Sequence, residues 1–320
     1  MSLESSISAL GRRKVGLVLS SGVARGWAHI GAIRALSRLG VPFDLIAGCS
    51  AGALVGGCYL ARQLDALEKW ALALSRRKVI SYLDLNLGRG GVIKGAKLEA
   101  ELRRVLGPLR IEELYLPFVA VATDLVTGHE IWLQRGDLAE AVRASFSLPG
   151  LFPPIEIEKR WLADGALVDP LPVSACRALG ADLVIAINLN TDILGKSRRA
   201  AAPAPVALGF DPSSLLEARG MMPEGPLPET LTRGMFGQEG DRPNIFGVMT
   251  TSLSIMQDRL TRSRLAGDPP DVHITPRVGH IGLLEFERAE EAIREGERAV
   301  EIKKAELQDA MEVMGLAVRR

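Results

Sequence analysis

Leu45-Ile46-Ala47-Gly48-Cys49-Ser50-Ala51-Gly52-Ala53-Leu54-Val55-Gly56-Gly57-Cys58-Tyr59-Leu60 is the stretch on which the fold reading turns. It begins apolar, and Phe43–Ala47 reads as a buried strand. A glycine-rich turn follows, and then a run of small residues, Ala51–Leu60, that suits a closely packed helix. The turn carries a G-x-S-x-G pattern, Gly48 to Gly52. Its glycines remove Cβ atoms where strand and helix approach and permit a strained backbone. A serine in such a strand–turn–helix junction projects its hydroxyl outward, over a helix N-terminus that favours negative charge. Taken alone, the same residues also describe a plain strand-to-helix turn without chemistry.

Outward from this stretch the alternation repeats. Upstream, Val15–Leu19 is a short β-branched run predicted as a strand, and Ser20-Ser21-Gly22 ends it. Ile30, Ile33, Leu36 and Leu39 recur at helical spacing over Trp27–Leu39, and Gly40 with Pro42 stops that helix. Downstream, Leu64–Leu74 and Leu98–Leu106 read as helices, Phe118–Thr123 and Glu130–Gln134 as strands, and Leu138–Ser145 as a short helix. Pro149, Pro153 and Pro154 impose an extended connection. Trp161–Ala163 reads as a strand end, Val173–Leu179 as a helix and Leu183–Leu189 as a buried strand. Phe246–Leu265 is predicted helical, Val272–Thr275 a short strand, and Glu287–Val313 one charged amphipathic helix. Strands alternating with helices predict an α/β fold around a parallel sheet.

Composition removes several function classes. The chain has 320 residues with 39 Lys+Arg against 38 Asp+Glu, a formal charge of +1, which argues against a dedicated nucleic-acid binder. Three cysteines, Cys49, Cys58 and Cys176, are too few and too badly spaced for a disulfide framework or a cysteine zinc site. No metal-ligand cluster is visible, and neither a metal nor a cofactor is implied. The apolar run near the N-terminus is only Val15 to Leu19, too short for a secretory signal. The charge-free window Leu45–Ala61 is too short and too glycine-rich to span a membrane. The expected location is cytoplasmic, with peripheral contact at the inner membrane surface left open.

Two further elements carry candidate chemistry. Ser20-Ser21-Gly22-Val23-Ala24-Arg25-Gly26 places free backbone N–H groups at a helix start, where they can hold a phosphate or the oxyanion of an acyl-transfer intermediate. It fits neither a dinucleotide fingerprint nor a P-loop. A plain βα turn with Arg25 in a structural ion pair is the bland alternative. Asp164-Gly165-Ala166 follows a strand end, and an aspartate there can project into a cleft as a general base. Asp-Gly alone is more often just a turn.

Together these elements resemble the patatin-like phospholipase family, especially its small bacterial members. The family pattern is a glycine-rich oxyanion loop ending in Arg/Lys-Gly, then G-x-S-x-G, then a distant Asp-Gly-Gly/Ala. Here these are Gly22-Val23-Ala24-Arg25-Gly26, Gly48-Cys49-Ser50-Ala51-Gly52 and Asp164-Gly165-Ala166. Ser145-Phe146-Ser147-Leu148-Pro149-Gly150-Leu151-Phe152-Pro153-Pro154 is similar to the family's proline block, and Ala28-His29-Ile30-Gly31 to the helix after its oxyanion loop. The resemblance covers roughly residues 14–190 and, more weakly, Phe246–Leu284. It implies a three-layer α/β/α fold with a mostly parallel central sheet. It also implies a Ser–Asp dyad: Ser50 the nucleophile, Asp164 the general base, and amides around Gly22, Val23 and Ala51 holding the oxyanion. The family loop is usually richer in glycine, and a β-branched Val23 resists positive φ.

The implied activity is hydrolysis of lipid acyl esters, of phospholipase A or lysophospholipase type. An esterase or thioesterase for small soluble esters, and a slow lipid-binding regulatory protein, are the competing readings. The substrate class implied is a lipid or acyl ester, and the oligomeric state stays open. Such a dyad needs no histidine. His273 and His280 follow the acid in sequence as a Ser-His-Asp triad would require, yet they read as surface or packing residues. His29 reads as a packing or helix-terminus residue and His129 as a turn residue. Residues 1–13 read as a flexible lead-in to a single catalytic domain over 14–320. An insert at 191–245, holding seven of the 18 prolines, is a lid, a membrane contact or disordered chain. Met221, Met222, Leu231, Met235 and Phe236 within it would supply an apolar face.

Overall fold

The computed structural model describes residues 13–75, 78, 96–149, 151–191 and 245–316. Eight strands form one sheet: β1 (Val15–Leu19), β2 (Leu45–Cys49), β3 (Phe118–Asp124), β4 (Glu130–Leu133), β5 (Ile155–Ile157), β6 (Arg160–Asp164), β7 (Leu183–Ile187) and β8 (Val272–Ile274). Their order is β5-β6-β3-β2-β1-β7-β8, with β4 paired to β3. β3, β2, β1, β7 and β8 run parallel. β4 and β6 lie antiparallel to β3, and β5 antiparallel to β6. The chain winds one way from β1 through β2 to β3 and returns to the other side of β1 at β7. In open α/β sheets the crevice at the carboxyl ends beside such a switch point is where ligands sit.

Nine helices flank the sheet among the described residues: α1 (Ala28–Arg38), α2 (Ala51–Leu60), α3 (Leu64–Leu72), α4 (Ala96–Leu106), α5 (Leu138–Ser145), α6 (Val173–Ala178), α7 (Ile245–Gly267), α8 (Ala289–Ile302) and α9 (Lys304–Val313). Alternation along β1 explains the layering. Leu17 and Leu19 enter the larger apolar cluster, with Ile30, Ile33 and Leu36 of α1. Val18 enters a second cluster, with Val173 and Cys176 of α6. Both faces are therefore covered, as a parallel sheet requires. α1 and α8 cross at a glycine contact: a Cβ on Gly31 would lie 1.9 Å from the Ile293 carbonyl oxygen, and one on Gly296 1.9 Å from that of Ala28.

The predicted α/β class, layers and mostly parallel sheet agree with this architecture. Four local expectations need correction. β2 begins two residues later than predicted, because Asp44 turns its carboxylate onto the Val15 N–H (2.8 Å). The extended connection after Pro154 contains a strand, β5, which pairs with β6 at the sheet edge, where prolines are tolerated. The helix expected from Trp27 starts one residue on, preceded by a 3-10 turn at Val23–Trp27. The single helix expected over Glu287–Val313 is two helices, broken at Lys303 (φ −95°, ψ 7°). α8 packs on α1 while α9 turns to β8, and the two neighbours require different axes. The lead-in and the insert at 191–245 fall almost wholly outside the described residues, as do its five named apolar side chains. Among the described residues no helix is long and apolar enough to cross a membrane.

Candidate active site

Ser50 sits between β2 and α2 with φ 54° and ψ −119°, a conformation L-residues rarely adopt. The flanking glycines make this turn possible. A Cβ on Gly52 would lie 2.1 Å from the Leu19 carbonyl oxygen, and one on Gly48 2.7 Å from the Ala53 nitrogen. The Ser50 N–H donates to Ser145 Oγ at 2.9 Å, and the Ser145 hydroxyl donates to the Val121 carbonyl at 2.6 Å. Ser145 therefore ties the strained turn to β3. Its importance was visible only as the first residue of the proline block; its bond to Ser50 was not.

Strand register brings Asp164 to Ser50. β2 and β4 both pair with Ala120 and Val121, so they occupy opposite edges of β3. β4 and β6 both pair with Ala122 and Thr123, so β6 lies on the same edge as β2. Along that edge Cys49 faces Val121 and Asp164 faces Ala122, the next position. The chain after Cys49 thus meets the end of β6. Ser50 Oγ donates to Asp164 Oδ2 at 2.7 Å. The other oxygen, Oδ1, accepts the Ala166 N–H at 2.8 Å. Gly165 makes room: a Cβ there would lie 2.2 Å from the Val121 oxygen. Thr123 Oγ1 donates to the Asp164 carbonyl (2.8 Å) and fixes its backbone.

Both side chains are buried. Burial pushes the Asp164 carboxyl up to about 7, against the opposing hydrogen bonds from Ser50 and Ala166. Nearby Asp169, also buried, is pushed up to about 6 by desolvation and by Glu130. Its carboxylate accepts the Leu171 N–H at 3.2 Å, bracing the turn through Pro170.

The loop after β1 packs onto this centre. A Cβ on Gly26 would lie 2.3 Å from the Ala51 Cβ, so glycine lets the loop touch the start of α2. Of the five residues expected to form an oxyanion loop, Gly26 lies inside the 3-10 turn, and the amides of Ala24 and Arg25 are engaged. The Ala24 N–H donates to the Leu283 carbonyl (3.2 Å) and the Arg25 N–H to that of Gly22 (3.1 Å). Gly22 and Val23 have no recorded acceptor for their N–H groups among the described residues. Val23 stands at φ 51° despite its β-branch. Anchors on both sides hold it there: Ser20 N–H to Ile187 O, Ser21 N–H to Pro170 O, and Ala24 N–H to Leu283 O. Arg25 is buried, donates from Nε to the Ile281 carbonyl at 2.8 Å, and is lowered to about 10 by burial. That bond ties the loop to the Ile281 carbonyl, where the structural alternative had expected an ion pair.

None of the four histidines bonds to Ser50 or Asp164. Buried His29 lies 2.8 Å through Nε2 from the Ser20 carbonyl, and burial lowers it to about 4, so it is neutral and donates there. His273 in β8 meets Asn188 (3.1 Å), His280 meets Glu291 (2.6 Å), and His129 is exposed in a turn. Among the described residues no group of three or more His, Cys, Asp or Glu side chains is arranged to hold a metal.

Comparison with known proteins gives this geometry a family. Residues 17–177 match the family model described as patatin-like phospholipase. An uncharacterised NTE family protein of Mycobacterium tuberculosis is 35% identical over 326 aligned positions, covering 88% of this chain and 89% of that one. A lysophospholipase of Emericella nidulans is 35% identical over 184 positions, 56% of this chain but 12% of the fungal protein. Among solved structures, VipD of Legionella pneumophila is 16% identical with a TM-score of 0.41, covering 93% of this chain and 67% of that chain. Human group IVD cytosolic phospholipase A2 is 12% identical with a TM-score of 0.40, covering 95% and 60%. On the family match and the near full-length relative, the chain belongs to the patatin-like phospholipase family of ester hydrolases.

Proposed function

We propose that this protein hydrolyses lipid acyl esters with Ser50 as nucleophile and Asp164 as its general base. The observation that carries the reading is the 2.7 Å bond from Ser50 Oγ to Asp164 Oδ2, made at a strained turn with no histidine bonded to either side chain. Ser50 Oγ attacks the ester carbonyl and its proton passes to Asp164. Negative charge on the carbonyl oxygen is met by the N–H groups of Gly22 and Val23. Ala51 adds its N–H from the first position of α2, where no intrahelical acceptor exists. One such donor is worth about 3–4 kcal/mol in the transition state. Collapse of the tetrahedral species breaks the ester C–O bond, and Asp164 returns the proton to the leaving alcohol. Water then attacks the acyl-enzyme by the same route, with Asp164 again taking a proton. A carboxyl raised to about 7 is a stronger base than an ordinary aspartate, which suits it to a serine hydroxyl. The lysophospholipase relatives support a lipid substrate.

The test is a panel of acyl esters of increasing chain length and phospholipids, run on wild type, Ser50→Ala and Asp164→Asn, with a fluorophosphonate probe alongside. Labelling of Ser50 and preference for long chains are expected. A sharp optimum at short soluble esters, or no labelling, overturns the reading.

A further inference from the structure

α7 is inside out. Ser254, Gln257, Asp258 and Thr261, which share one helical face, are buried. Val248, Ile255 and Met256 are exposed on the other side, continued toward the C-terminus by exposed Arg259 and Arg262. A surface helix of a water-facing protein has the reverse arrangement. The only acid in α7, Asp258, is buried, and its carboxylate accepts from Arg262 Nε at 2.9 Å. The outward face of α7 therefore carries Val248, Ile255, Met256 and two arginines among the small polar residues Thr251, Ser252 and Ser263, with no exposed carboxylate of its own.

The face extends beyond the helix. Leu265 packs on the cluster that contains Val121, whereas Leu253 packs on the larger cluster, so the C-terminal end of α7 lies on the Val121 side of the sheet. Trp132 pairs with Val121 directly, and Trp161 lies two residues from Ala163, the partner of Thr123, so both tryptophans project to that same side. Both are exposed, as are Leu125 and Val126 in the turn after β3. Arg264 joins the two parts: it bonds Glu130 at 2.8 Å, and Glu130 also accepts from the Trp132 indole. The neighbouring hairpin carries exposed Glu156 directly across from Trp161, and at its tip Glu158 beside Lys159 and Arg160. This surface borders the site. α7 contacts the Gly165–Leu167 turn that follows Asp164, and Arg264 donates to the Val168 carbonyl at 3.1 Å.

We infer that the outward face of α7, together with Trp132, Trp161, Leu125 and Val126, is the surface by which this protein lies on an anionic lipid bilayer. For its occupant the inference rests on the lipid substrate proposed above. Exposed aliphatic side chains enter the acyl boundary, tryptophans settle at the headgroup level, and Arg259 and Arg262 meet anionic headgroups. Docked this way, the Gly165–Leu167 turn that follows Asp164 lies behind the contact surface.

The experiment is co-sedimentation of the full chain with vesicles of phosphatidylcholine alone or mixed with phosphatidylglycerol, paired with tryptophan quenching by brominated lipid. Wild type should bind the mixed vesicles, release them as salt rises, and show quenching that Trp132→Phe with Trp161→Phe removes. Arg259→Glu with Arg262→Glu should weaken binding at least roughly thirtyfold, from about fivefold per basic residue at an anionic surface. Ile255→Asp, which breaks no recorded hydrogen bond, should weaken binding while hydrolysis of a soluble ester is unchanged. Equal vesicle binding by all these variants overturns the inference. So does a change confined to self-association, which would make the face an interface between copies. If wild type binds vesicles as stated but Ser50 neither labels nor hydrolyses any ester, the proposed chemistry fails and the docking surface stands.

Discussion

Replacing Asp164 with asparagine should trade activity for stability, in a way that depends on pH. Asparagine keeps the shape of the side chain and can still accept the Ala166 N–H, now at 2.8 Å to Oδ1. It cannot take the Ser50 proton. General-base catalysis contributes typically ~10²–10⁴-fold, so kcat/KM should fall by that order. The stability effect has the opposite sign. The carboxyl rises from 3.8 to about 7 on folding, so the native state holds its proton more tightly than the unfolded chain. Below the unfolded value both states are protonated and the buried acid costs nothing. As pH climbs from about 4 to about 7 the unfolded chain ionises first, and native stability drains away until the folded carboxyl ionises too. At 1.36 kcal/mol per pKa unit the full cost approaches about 4 kcal/mol, an upper bound. Asparagine never ionises and escapes it. Denaturant melts of wild type and Asp164→Asn at pH 4, 6 and 8 should show a difference near zero at the lowest value, widening in favour of the variant. A difference that stays flat across this range would refute the buried, raised carboxyl. Hydrolysis by the variant at more than a tenth of the wild-type rate would refute its role as base.

Wild-type kcat/KM on a soluble ester should rise with pH through about 7, as the free enzyme's Asp164 loses its proton, and then level off. A profile unaltered in Asp164→Glu would assign that limb to another group. Ser145→Ala strands the buried Ser50 N–H and frees the Val121 carbonyl, costing about 1–3 kcal/mol in denaturant melts and up to about a hundredfold in kcat. Gly52→Ala places a methyl 2.1 Å from the Leu19 carbonyl and should cost ~3 kcal/mol or more, read as lost soluble yield or an early melt. His273→Ala and His280→Ala should each leave soluble-ester turnover unchanged, because neither ring bonds to Ser50 or Asp164.

Much of the fold was legible because strands such as β1 and β2 are short apolar runs that end at serine. Val15–Leu19 and Ala51–Leu60 stand where the pattern puts them. Leu138–Ser145 is equally legible, with Asp137 capping it by accepting the Glu140 N–H at 2.8 Å. The misses share a cause: each depends on a distant neighbour. β5 exists because β6 pairs with it, and three residues after Pro154 carry no signal of that partner. The break at Lys303 lies within an unbroken apolar repeat, with Ile293, Val300 and Leu307 all buried, so periodicity runs straight through it. The loop after β1 was recognisable, but which of its amides are engaged depends on Leu283, far along the chain.

By itself the sequence determined the chemical inventory: a serine in a glycine-flanked turn, an aspartate before glycine, a loop that can present amides, and too few histidines to require one. Those are local properties of residue type and spacing. That Ser50 and Asp164 touch was a decision of the tertiary structure. They lie 114 residues apart, and neither carries any local mark of the other. β3 brings them together, because one edge of it passes from β2 to β6 between Val121 and Ala122. The same packing buries the carboxylate and raises it to about 7, and no reading of the chain in one dimension contains that burial.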